Sequence, residues 1–188
     1  MKYCQQTNLT IKHDWSKTQS AFSELLALAS DNGEHYGNSL HFPIQNLGMV
    51  SKHKLSPGWI RIAGPAINKT MPWLPSLLSE MKELCPDDSC ISRLQGDGAR
   101  HVDLKTAPSA LNFIFANNDP EAYTVAGEER YPSVVDTAWI LDTQQPHAII
   151  NKGERWTLSI HFKVPYNVVQ EWFNAHPNLI FGASQGTI

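Results

Sequence analysis

Short segments rich in β-branched and aromatic residues follow one another through the C-terminal half of this 188-residue chain, separated by turn residues. Many short strands at this spacing are typical of a β-sandwich or β-barrel. The last segment alternates strictly between polar and apolar residues from Arg155 to Phe162, so its two faces must meet different surroundings. The predicted strands are Cys90–Leu94, Ala99–Leu104, Ser109–Ala116, Ala122–Ala126, Val134–Leu141, His147–Ile150 and Trp156–Val164.

Helical periodicity lies mainly outside this β-rich region. Ser16–Ala29, Pro72–Leu84 and Asn167–Ala175 each place apolar residues on one face and are predicted to be helices. The stretch from Glu34 to Pro57 contains glycine, proline and three histidines with weak periodicity, which predicts mostly loop with one or two short strands. A further strand is predicted at Gly58–Ala63. This order predicts a mainly β fold with flanking helices, in which the helices pack on the outside of a jelly-roll-like core.

The length and composition are those of one globular domain. With 188 residues, 41% of them hydrophobic and 18% charged, the chain is long enough to bury a core. We expect a single domain over residues 1–188. A helical and loop-rich N-terminal part (1–89) is expected to pack on the β core (90–164), followed by a C-terminal helix and tail (165–188).

Charge and hydropathy argue against several classes of partner. The net charge of -3 provides no basic field, so strong general binding to nucleic acid is not expected. No apolar run approaches membrane-spanning length, and residues 1–12 lack the apolar core of a signal peptide, so no membrane partner is expected. Three cysteines without a CxxC pair favour a reducing compartment. Together these features predict a cytoplasmic protein.

Two histidines and an aspartate have the spacing of a metal site. His101 and Asp103 are two residues apart on a predicted strand, so their side chains project to the same side while Val102 points away. A third ligand must come from another strand, and His147 is the candidate. Two imidazoles and one carboxylate hold Fe(II) on one face and leave other positions open. The alternative is that the spacing of His101 and Asp103 arises by chance and that His147 is a hydrogen-bonded structural histidine.

The polar face of the last predicted strand carries an arginine. Arg155, Thr157 and Ser159 share this face with His161, while the apolar residues between them face the other way. A solvent-exposed antiparallel strand shows the same alternation. If the polar face instead lines the inside of a barrel, Arg155 needs an anionic partner, because a buried unpaired guanidinium is costly. No acidic residue is obviously placed for it in the sequence, and a bound dicarboxylate would satisfy it with two parallel hydrogen bonds.

In these motifs the chain resembles the Fe(II)/2-oxoglutarate-dependent dioxygenases. The match runs through His101 and Asp103, the distal His147, and Arg155 eight residues further on. The stretch around His147 is similar to that of aspartyl/asparaginyl β-hydroxylase-like members, and the last strand resembles that of prolyl hydroxylases. The resemblance covers a little over the C-terminal half, where the layout is similar to the double-stranded β-helix (jelly-roll or cupin-like) core of that superfamily.

The resemblance implies a role for each of these residues. His101, Asp103 and His147 would be the iron ligands and so the catalytic centre. The implied cosubstrate is 2-oxoglutarate, which would be bound by Arg155, Thr157, Ser159 and Asn112. The implied activity is a hydroxylase reaction, which uses O2 and couples decarboxylation of 2-oxoglutarate to succinate with oxidation of a substrate C–H bond. The substrate stays unidentified, a protein side chain or a small molecule being expected.

Two alternatives stay open from the sequence. A cupin-like metalloenzyme that does not use 2-oxoglutarate would keep the three ligands but would have no use for Arg155. A non-catalytic jelly-roll binding or structural module would carry the motif by accident, and the side chains of His101, Asp103 and His147 would not converge.

Overall fold

A computed structural model describes residues 2–29, 32–36, 39–44, 46–54, 56, 58–103 and 105–182. The strands, in chain order, are β1 (Cys4–Thr7), β2 (Thr10–Lys12), β3 (Glu34–Tyr36), β4 (Ser39–Ile44), β5 (Gly48–His53), β6 (Trp59–Ala63), β7 (Pro86–Gln95), β8 (Gly98–His101), β9 (Ser109–Asn117), β10 (Tyr123–Ala126), β11 (Glu129–Pro132), β12 (Thr137–Asp142), β13 (His147–Ile150), β14 (Glu154–Phe162) and β15 (Ile180–Gly182). The helices are α1 (Trp15–Ala27), α2 (Ala66–Thr70), α3 (Leu74–Glu80) and α4 (Tyr166–Ala175), with a 3-10 turn at Lys82–Leu84.

The eight strands from β7 to β14 form a double-stranded β-helix. β7 pairs with β14, β8 with β13, β9 with β12 and β10 with β11, all antiparallel, so the chain runs as one long folded-back ribbon. β14 also pairs with β9, and β13 with β10, and this lateral pairing rolls the ribbon into two sheets. The predicted fold class, a jelly-roll or cupin-like core with flanking helices, is confirmed by this topology.

The two sheets differ in width. The larger has nine strands in the order β1-β12-β9-β14-β7-β6-β5-β4-β3, and the smaller has four in the order β11-β10-β13-β8. β2 and β15 form a separate parallel pair. Both sheets contribute residues to one cavity of about 430 Å³, which is the interior of the double-stranded β-helix.

The main hydrophobic core lies on the outer face of the large sheet. The apolar residues of β14, Trp156, Leu158, Ile160 and Phe162, are all buried there, in one cluster with residues of α1 to α4. Phe22 of α1 meets Trp156 edge to face, with ring centroids 4.8 Å apart. The alternation along β14 therefore separates a helix-covered apolar face from a polar face that lines the cavity, as the sequence predicts.

The N-terminal part differs from the sequence prediction. Much of the predicted loop from Glu34 to Pro57 is instead β3, β4 and β5, although residue 57 itself lies outside the described residues. These strands and β6 extend the large sheet beyond β7, and β1 extends it at the opposite edge. Pro43 lies in β4 and Gly48 begins β5. Proline and glycine are unusual in strands, so these two residues favour the prediction of a loop. Residues 1–89 thus build sheet as well as helix.

Other boundaries also shift. The core begins at Pro86 rather than Cys90, the strand predicted as Ala99–Leu104 ends at His101, and residue 104 lies outside the described residues. α2 and β11 are not predicted from the sequence. The strand predicted to begin at Val134 begins at Thr137. The last six residues of the predicted tail, 183–188, also lie outside the described residues.

Within the part of the chain that the structure describes, no helix is long and apolar enough to cross a membrane. The longest helix, α1, has 13 residues.

Candidate active site

Three potential metal ligands converge at the edge of the cavity. His101 on β8 and His147 on β13 are direct cross-strand partners in the small sheet, with ring centroids 4.3 Å apart. An Asp103 carboxylate oxygen lies 3.3 Å from His101 Nε2 and 3.9 Å from His147 Nε2. The ligand atoms of all three side chains lie within 4.8 Å of one another. Atoms bonded to one cation at about 2.1 Å lie about 3–4 Å apart, so both separations from Asp103 fit and a small side-chain shift would close the site around an ion.

Both imidazoles are held with the same ring nitrogen directed at this point. His101 Nδ1 lies 2.7 Å from the Ala99 carbonyl oxygen, and His147 Nδ1 lies 2.9 Å from that of Gln145. A carbonyl oxygen only accepts, so each Nδ1 carries a hydrogen and donates it. In the neutral imidazole this leaves the Nε2 lone pair available for a metal. The backbone around each histidine therefore selects the tautomer that a metal ligand needs.

Asp103 lies beyond the end of β8 rather than on it. Its backbone N–H donates to the Thr143 carbonyl at 3.0 Å, which fixes the chain after the strand has ended. The predicted two-residue spacing still brings the carboxylate to the same side as His101. Val102 is half exposed and borders the cavity, instead of packing inward as the alternation predicts.

The charges at this point favour an ionised carboxylate between the imidazoles. Burial raises the pKa of Asp103, but the hydrogen bond from His101 and the nearby His147 outweigh it and hold that pKa below its usual value. Burial lowers the pKa of His147, which keeps this imidazole neutral. For His101 burial also acts downward, but the bonds to Asp103 and to the Ala99 carbonyl leave its pKa raised. A carboxylate and a neutral His147 are the states that bind a metal.

Arg155 lies in the same cavity and is almost completely buried. Its guanidinium donates through Nη1 to the Thr124 and Ser133 hydroxyl oxygens, both at 3.2 Å. Its Nε has no hydrogen-bond partner, and no carboxylate of the described residues lies within 4.0 Å of the guanidinium. Burial lowers the pKa of Arg155 to about 10, so the side chain is still a cation at neutral pH. The positive charge of a buried cation that is bonded only to neutral hydroxyls is not compensated, so it favours binding of an anion.

The remaining predicted residues line the same cavity. Thr157 and Ser159 follow Arg155 on β14, and Asn112 is the cross-strand partner of Ser159 on β9. The Ser159 hydroxyl donates to Asn112 Oδ1 at 2.7 Å, so its hydrogen is already used within the protein. Ser159 can therefore offer an incoming ligand only acceptor lone pairs, whereas the Asn112 amide N–H groups are donors.

The turn between β13 and β14 fixes the separation of His147 from Arg155. Asn151 is buried, and its side chain donates to the Gly153 carbonyl at 2.8 Å while its backbone N–H bonds to Asp97. A Cβ added at Gly153 would overlap Asn118 Oδ1, which accepts the Glu154 N–H at 2.5 Å. Asn151 and Gly153 are thus structural residues, and they start β14 in the register that turns Arg155 inward.

The N-terminal strands add cavity residues that the sequence analysis missed. Trp59 and Arg61 on β6, Ser51 and His53 on β5, and His41 on β4 all line the cavity. Along β6, Trp59 and Arg61 alternate with partly buried Ile60 and buried Ile62, in an inward–outward pattern like that of β14, and this alternation was the available signal. His161, which the sequence places on the polar face of β14, also reaches the cavity.

No family model and no curated protein matches the sequence. Among solved structures, the chain is similar to a cupin-superfamily protein from Desulfitobacterium hafniense DCB-2 (17% identity, TM-score 0.33, 41% of this chain and 67% of that one). It is also similar to salicylate 1,2-dioxygenase from Pseudaminobacter salicylatoxidans (12%, TM-score 0.44, 86% and 36%) and to AviO1 from Streptomyces viridochromogenes Tue57 (12%, TM-score 0.46, 80% and 84%). The matched region spans about a third of the salicylate dioxygenase chain. Likeness at this level says nothing about the substrate or cosubstrate of this chain.

Proposed function

We propose that the protein is an Fe(II)- and 2-oxoglutarate-dependent oxygenase that oxidises a C–H bond of its substrate, most simply by hydroxylation. The observation that carries the proposal is the combination of a His-Asp-His cluster with a buried arginine in one cavity. The coarser part of the proposal, a metalloenzyme on a cupin-like core, needs only the cluster. The finer part, the use of 2-oxoglutarate, depends on Arg155.

The ligand set suits Fe(II). Two neutral imidazole nitrogens and one carboxylate form the set that binds non-haem Fe(II) while leaving positions open for small ligands. His101, Asp103 and His147 all line the cavity, and His147 is the most buried of the three. The remaining side of the cluster faces the cavity, so a cosubstrate and a substrate reach the metal from inside.

Arg155 suits a dicarboxylate. Nη1 is held by two hydroxyls, and the unpartnered Nε lies on the guanidinium edge that it shares with Nη2, where two parallel N–H groups can recognise a carboxylate. The Thr124 and Ser133 hydroxyls hold the guanidinium, and Thr157 lines the same cavity. The charges also agree, since Asp103 and the two carboxylates of 2-oxoglutarate balance a divalent iron and Arg155.

Bound iron and 2-oxoglutarate would supply O2 activation, coupled to decarboxylation of 2-oxoglutarate to succinate and CO2. The protein's own part is positional. The Ala99 and Gln145 carbonyls hold the two imidazoles in their metal-binding tautomers, and Arg155 holds the far end of the cosubstrate. The apolar side chains of Leu141 and Ile149 line the cavity and restrict water around the reacting atoms.

The two alternatives fare differently against the site. A non-catalytic module predicts that His101, Asp103 and His147 point apart, whereas their ligand atoms lie within 4.8 Å of one another. A cupin-like metalloenzyme without 2-oxoglutarate shares the cluster and differs only in leaving Arg155 without a purpose. An experiment on Arg155 therefore separates it from the proposed oxygenase.

The test is anaerobic titration of the Fe(II)-loaded protein with 2-oxoglutarate, followed by the visible charge-transfer band of the complex. We expect the band in the wild-type protein and in Arg130→Ala, which removes an exposed arginine over the Tyr123 ring, outside the cavity. In Arg155→Ala we expect 2-oxoglutarate affinity to fall by about 2–5 kcal/mol, because a buried carboxylate loses its charged partner.

Metal content must be measured on the same samples. Full iron binding by every variant, together with wild-type 2-oxoglutarate affinity in Arg155→Ala, would contradict the oxygenase proposal and favour the metalloenzyme that does not use 2-oxoglutarate. No iron binding by the wild-type protein would contradict both.

A further inference from the structure

The N-terminal strands turn a polar face toward the cavity. On β4, β5 and β6 the apolar residues pack into the main core: Phe42, Ile44, Val50, Ile60 and Ile62. The residues between them face the cavity: Ser39, His41, Ser51, His53, Trp59 and Arg61. Stability of the extended sheet does not require Arg61, His41 and His53 to face an interior cavity, so we look for a binding role.

Strand register links this face to the cosubstrate end of the cavity. Thr157 on β14 pairs with Ser92 on β7, Ser92 with Arg61 on β6, Arg61 with Ser51 on β5, and Ser51 with His41 on β4. Directly paired residues have Cβ atoms about 4.5–5.5 Å apart. These five polar side chains therefore form one continuous row, which we call the cross-sheet row, running away from the Arg155 region.

Among the described residues, Arg61, at the middle of the row, has only weak partners. Its carboxylate partner is Asp88, at 3.5 Å from Nη2, and both side chains of this pair are more than a third exposed to solvent. Exposed ion pairs of this kind contribute little. Its Nε donates to the Cys90 sulfur at 3.2 Å, and a thiol is a weak neutral acceptor. Arg61 can exchange these contacts for a ligand anion at small cost.

Trp59 connects this arginine with the metal cluster. It lies two residues from Arg61 on the same face of β6, and its ring centroid is 5.6 Å from that of His101. His53 lies beside both rings, with centroids 5.9 Å from Trp59 and 6.2 Å from His101. A molecule whose acidic group contacts Arg61 would therefore lie along the indole with its other end at the metal.

We propose that the substrate is a small molecule with one acidic group, a carboxylate or a phosphoryl group, which binds Arg61 with the Ser51 and Ser92 hydroxyls. Its apolar body lies against Trp59 and reaches the metal cluster. This inference rests on the proposed function. There, the negative charges of 2-oxoglutarate and Asp103 balance the positive charges of iron and Arg155. Arg61, the second arginine among the described residues of the cavity, then has no ligand anion to balance its charge.

The test uses benzoate as a probe, because it joins one carboxylate to a planar ring that fits against an indole. The Mn(II)-loaded protein is saturated with 2-oxoglutarate and titrated with benzoate, and Mn(II)-induced relaxation of the ring protons reports both binding and proximity to the metal. Phenyl phosphate in a parallel titration distinguishes a phosphoryl group from a carboxylate, and neutral benzamide shows whether the charge is needed. We expect benzoate or phenyl phosphate to bind and benzamide to bind at least tenfold more weakly.

Variants assign the binding to Arg61. Arg61→Gln is expected to weaken the acidic probe by roughly 10- to 100-fold, the value of a charge-assisted hydrogen bond, while Arg61→Lys retains most of the affinity and Arg130→Gln retains all of it. 2-Oxoglutarate affinity, measured separately, is expected to stay unchanged in Arg61→Gln. If that variant does not fold, the Ser51→Ala/Ser92→Ala double variant must show the weakening instead.

Three results would overturn the inference: no binding of either acidic probe, equal binding of benzamide, or unchanged probe affinity in Arg61→Gln. Failure of the proposed function looks different, because 2-oxoglutarate then does not bind even to the wild-type protein. The response of the acidic probes to Arg61→Gln can still be read in that case without the cosubstrate.

Discussion

At the scale of single residues, Arg155 illustrates the conflict between stability and binding. The chain buries this guanidinium with two hydroxyl partners and no carboxylate within 4.0 Å among the described residues, and its depressed pKa reflects the cost of burial. In the ligand-free protein this charge weakens the fold, whereas a bound dicarboxylate would turn the cost into affinity.

Arg155→Met separates the two effects. The variant keeps a long apolar stem and removes the buried charge, so we expect the ligand-free protein to be unchanged or up to about 2 kcal/mol more stable. The wild-type protein, loaded with Mn(II), should gain about 2.7 kcal/mol from 2-oxoglutarate at a hundred times its dissociation constant. The variant should gain almost nothing. Urea unfolding with and without 2-oxoglutarate measures both, and equal gains in the two proteins would contradict the assignment.

The sequence predicts that His101, Asp103 and His147 converge but does not predict the cross-sheet row, for a physical reason. His101 and Asp103 are two residues apart, and Arg155 stands on a strand with strict alternation, so local periodicity is enough to suggest that they share a cavity. Arg61 and Ser51 reach that cavity only because β6 pairs with β7, and β5 with β6, in one register. Register between distant strands depends on tertiary packing, which periodicity within a strand does not encode.

At the scale of elements, the turn from β13 to β14 decides where Arg155 points. Gly153 approaches Asn118 so closely that no side chain fits between them. Gly153→Ala must therefore displace the turn or the Asn118 side chain that holds the Glu154 N–H, at an expected cost of about 1–3 kcal/mol in unfolding free energy. Since Arg155 is two residues further on, we also expect weaker 2-oxoglutarate binding. Gly96→Ala is the control, because it adds the same methyl group at a glycine where nothing lies within 4 Å of the added Cβ.

Both effects of Gly153→Ala must appear together. Reduced stability with wild-type 2-oxoglutarate affinity in the folded protein would mean that the turn does not set the position of Arg155. Because Gly96 has a positive φ, its alanine variant can also lose stability, but it should keep its 2-oxoglutarate affinity.

The connection between β2 and α1 contains a histidine that makes stability depend on pH. The Trp73 indole N–H donates to His13 Nδ1 at 3.1 Å, and His13 Nε2 then donates to the Thr18 hydroxyl at 2.7 Å. Protonation would place a hydrogen on Nδ1 against the Trp73 donor. Burial lowers the pKa of His13, with Asp14 opposing and Lys17 assisting the shift. The unfolded chain therefore binds this proton more readily than the folded protein does.

The sign of the pH dependence follows from that shift. The stability that neutral His13 provides is complete above its unfolded pKa of about 6.5 and is lost as pH falls through the lower folded pKa. We expect the melting temperature of the wild-type protein to drop between about pH 7.5 and pH 5.5, and to drop less in His13→Gln. Thermal unfolding at the two pH values measures this, and identical drops would show that His13 is not responsible.

Most core elements can be predicted from the sequence, and the exceptions have local causes. β9 and β13 are predicted to within one residue, and β14 to within two residues at each end, because each carries a run of β-branched and aromatic residues. β11 escapes because it is a short polar edge strand that ends in Pro132 and pairs only with β10. The predicted helix from Pro72 to Leu84 contains one continuous apolar face, but the structure divides it into α3 and a 3-10 turn.

At the scale of the whole molecule, the outer face of the large sheet contributes to stability and its inner face to the candidate binding cavity. Its outer face carries the main core under the helices, and its inner face carries Arg155 and the cross-sheet row, while His101 and His147 face the same cavity from the small sheet. Substitutions on the outer face should therefore change the unfolding free energy and leave ligand affinity almost unchanged. The converse holds for the polar residues of the inner face.

Phe22→Ala tests this separation. Phe22 is fully buried between α1 and the outer face, against Trp156, and its truncation should cost about 3–5 kcal/mol. We expect the remaining folded protein to bind 2-oxoglutarate like the wild type, as measured by titration under conditions where the variant is folded. Leu28→Ala, at an exposed position just after α1, should change neither quantity. A large loss of affinity in folded Phe22→Ala would show that the two faces are coupled.

The central claim is that His101, Asp103 and His147 hold one iron ion. Crystals grown anaerobically with Fe(II), and measured at the iron absorption edge, test it most directly. We predict one anomalous peak at about 2.0–2.2 Å from Nε2 of both histidines and from a carboxylate oxygen of Asp103. A peak held by other side chains, such as His53 and His161, or the absence of any peak at the cluster, would contradict it.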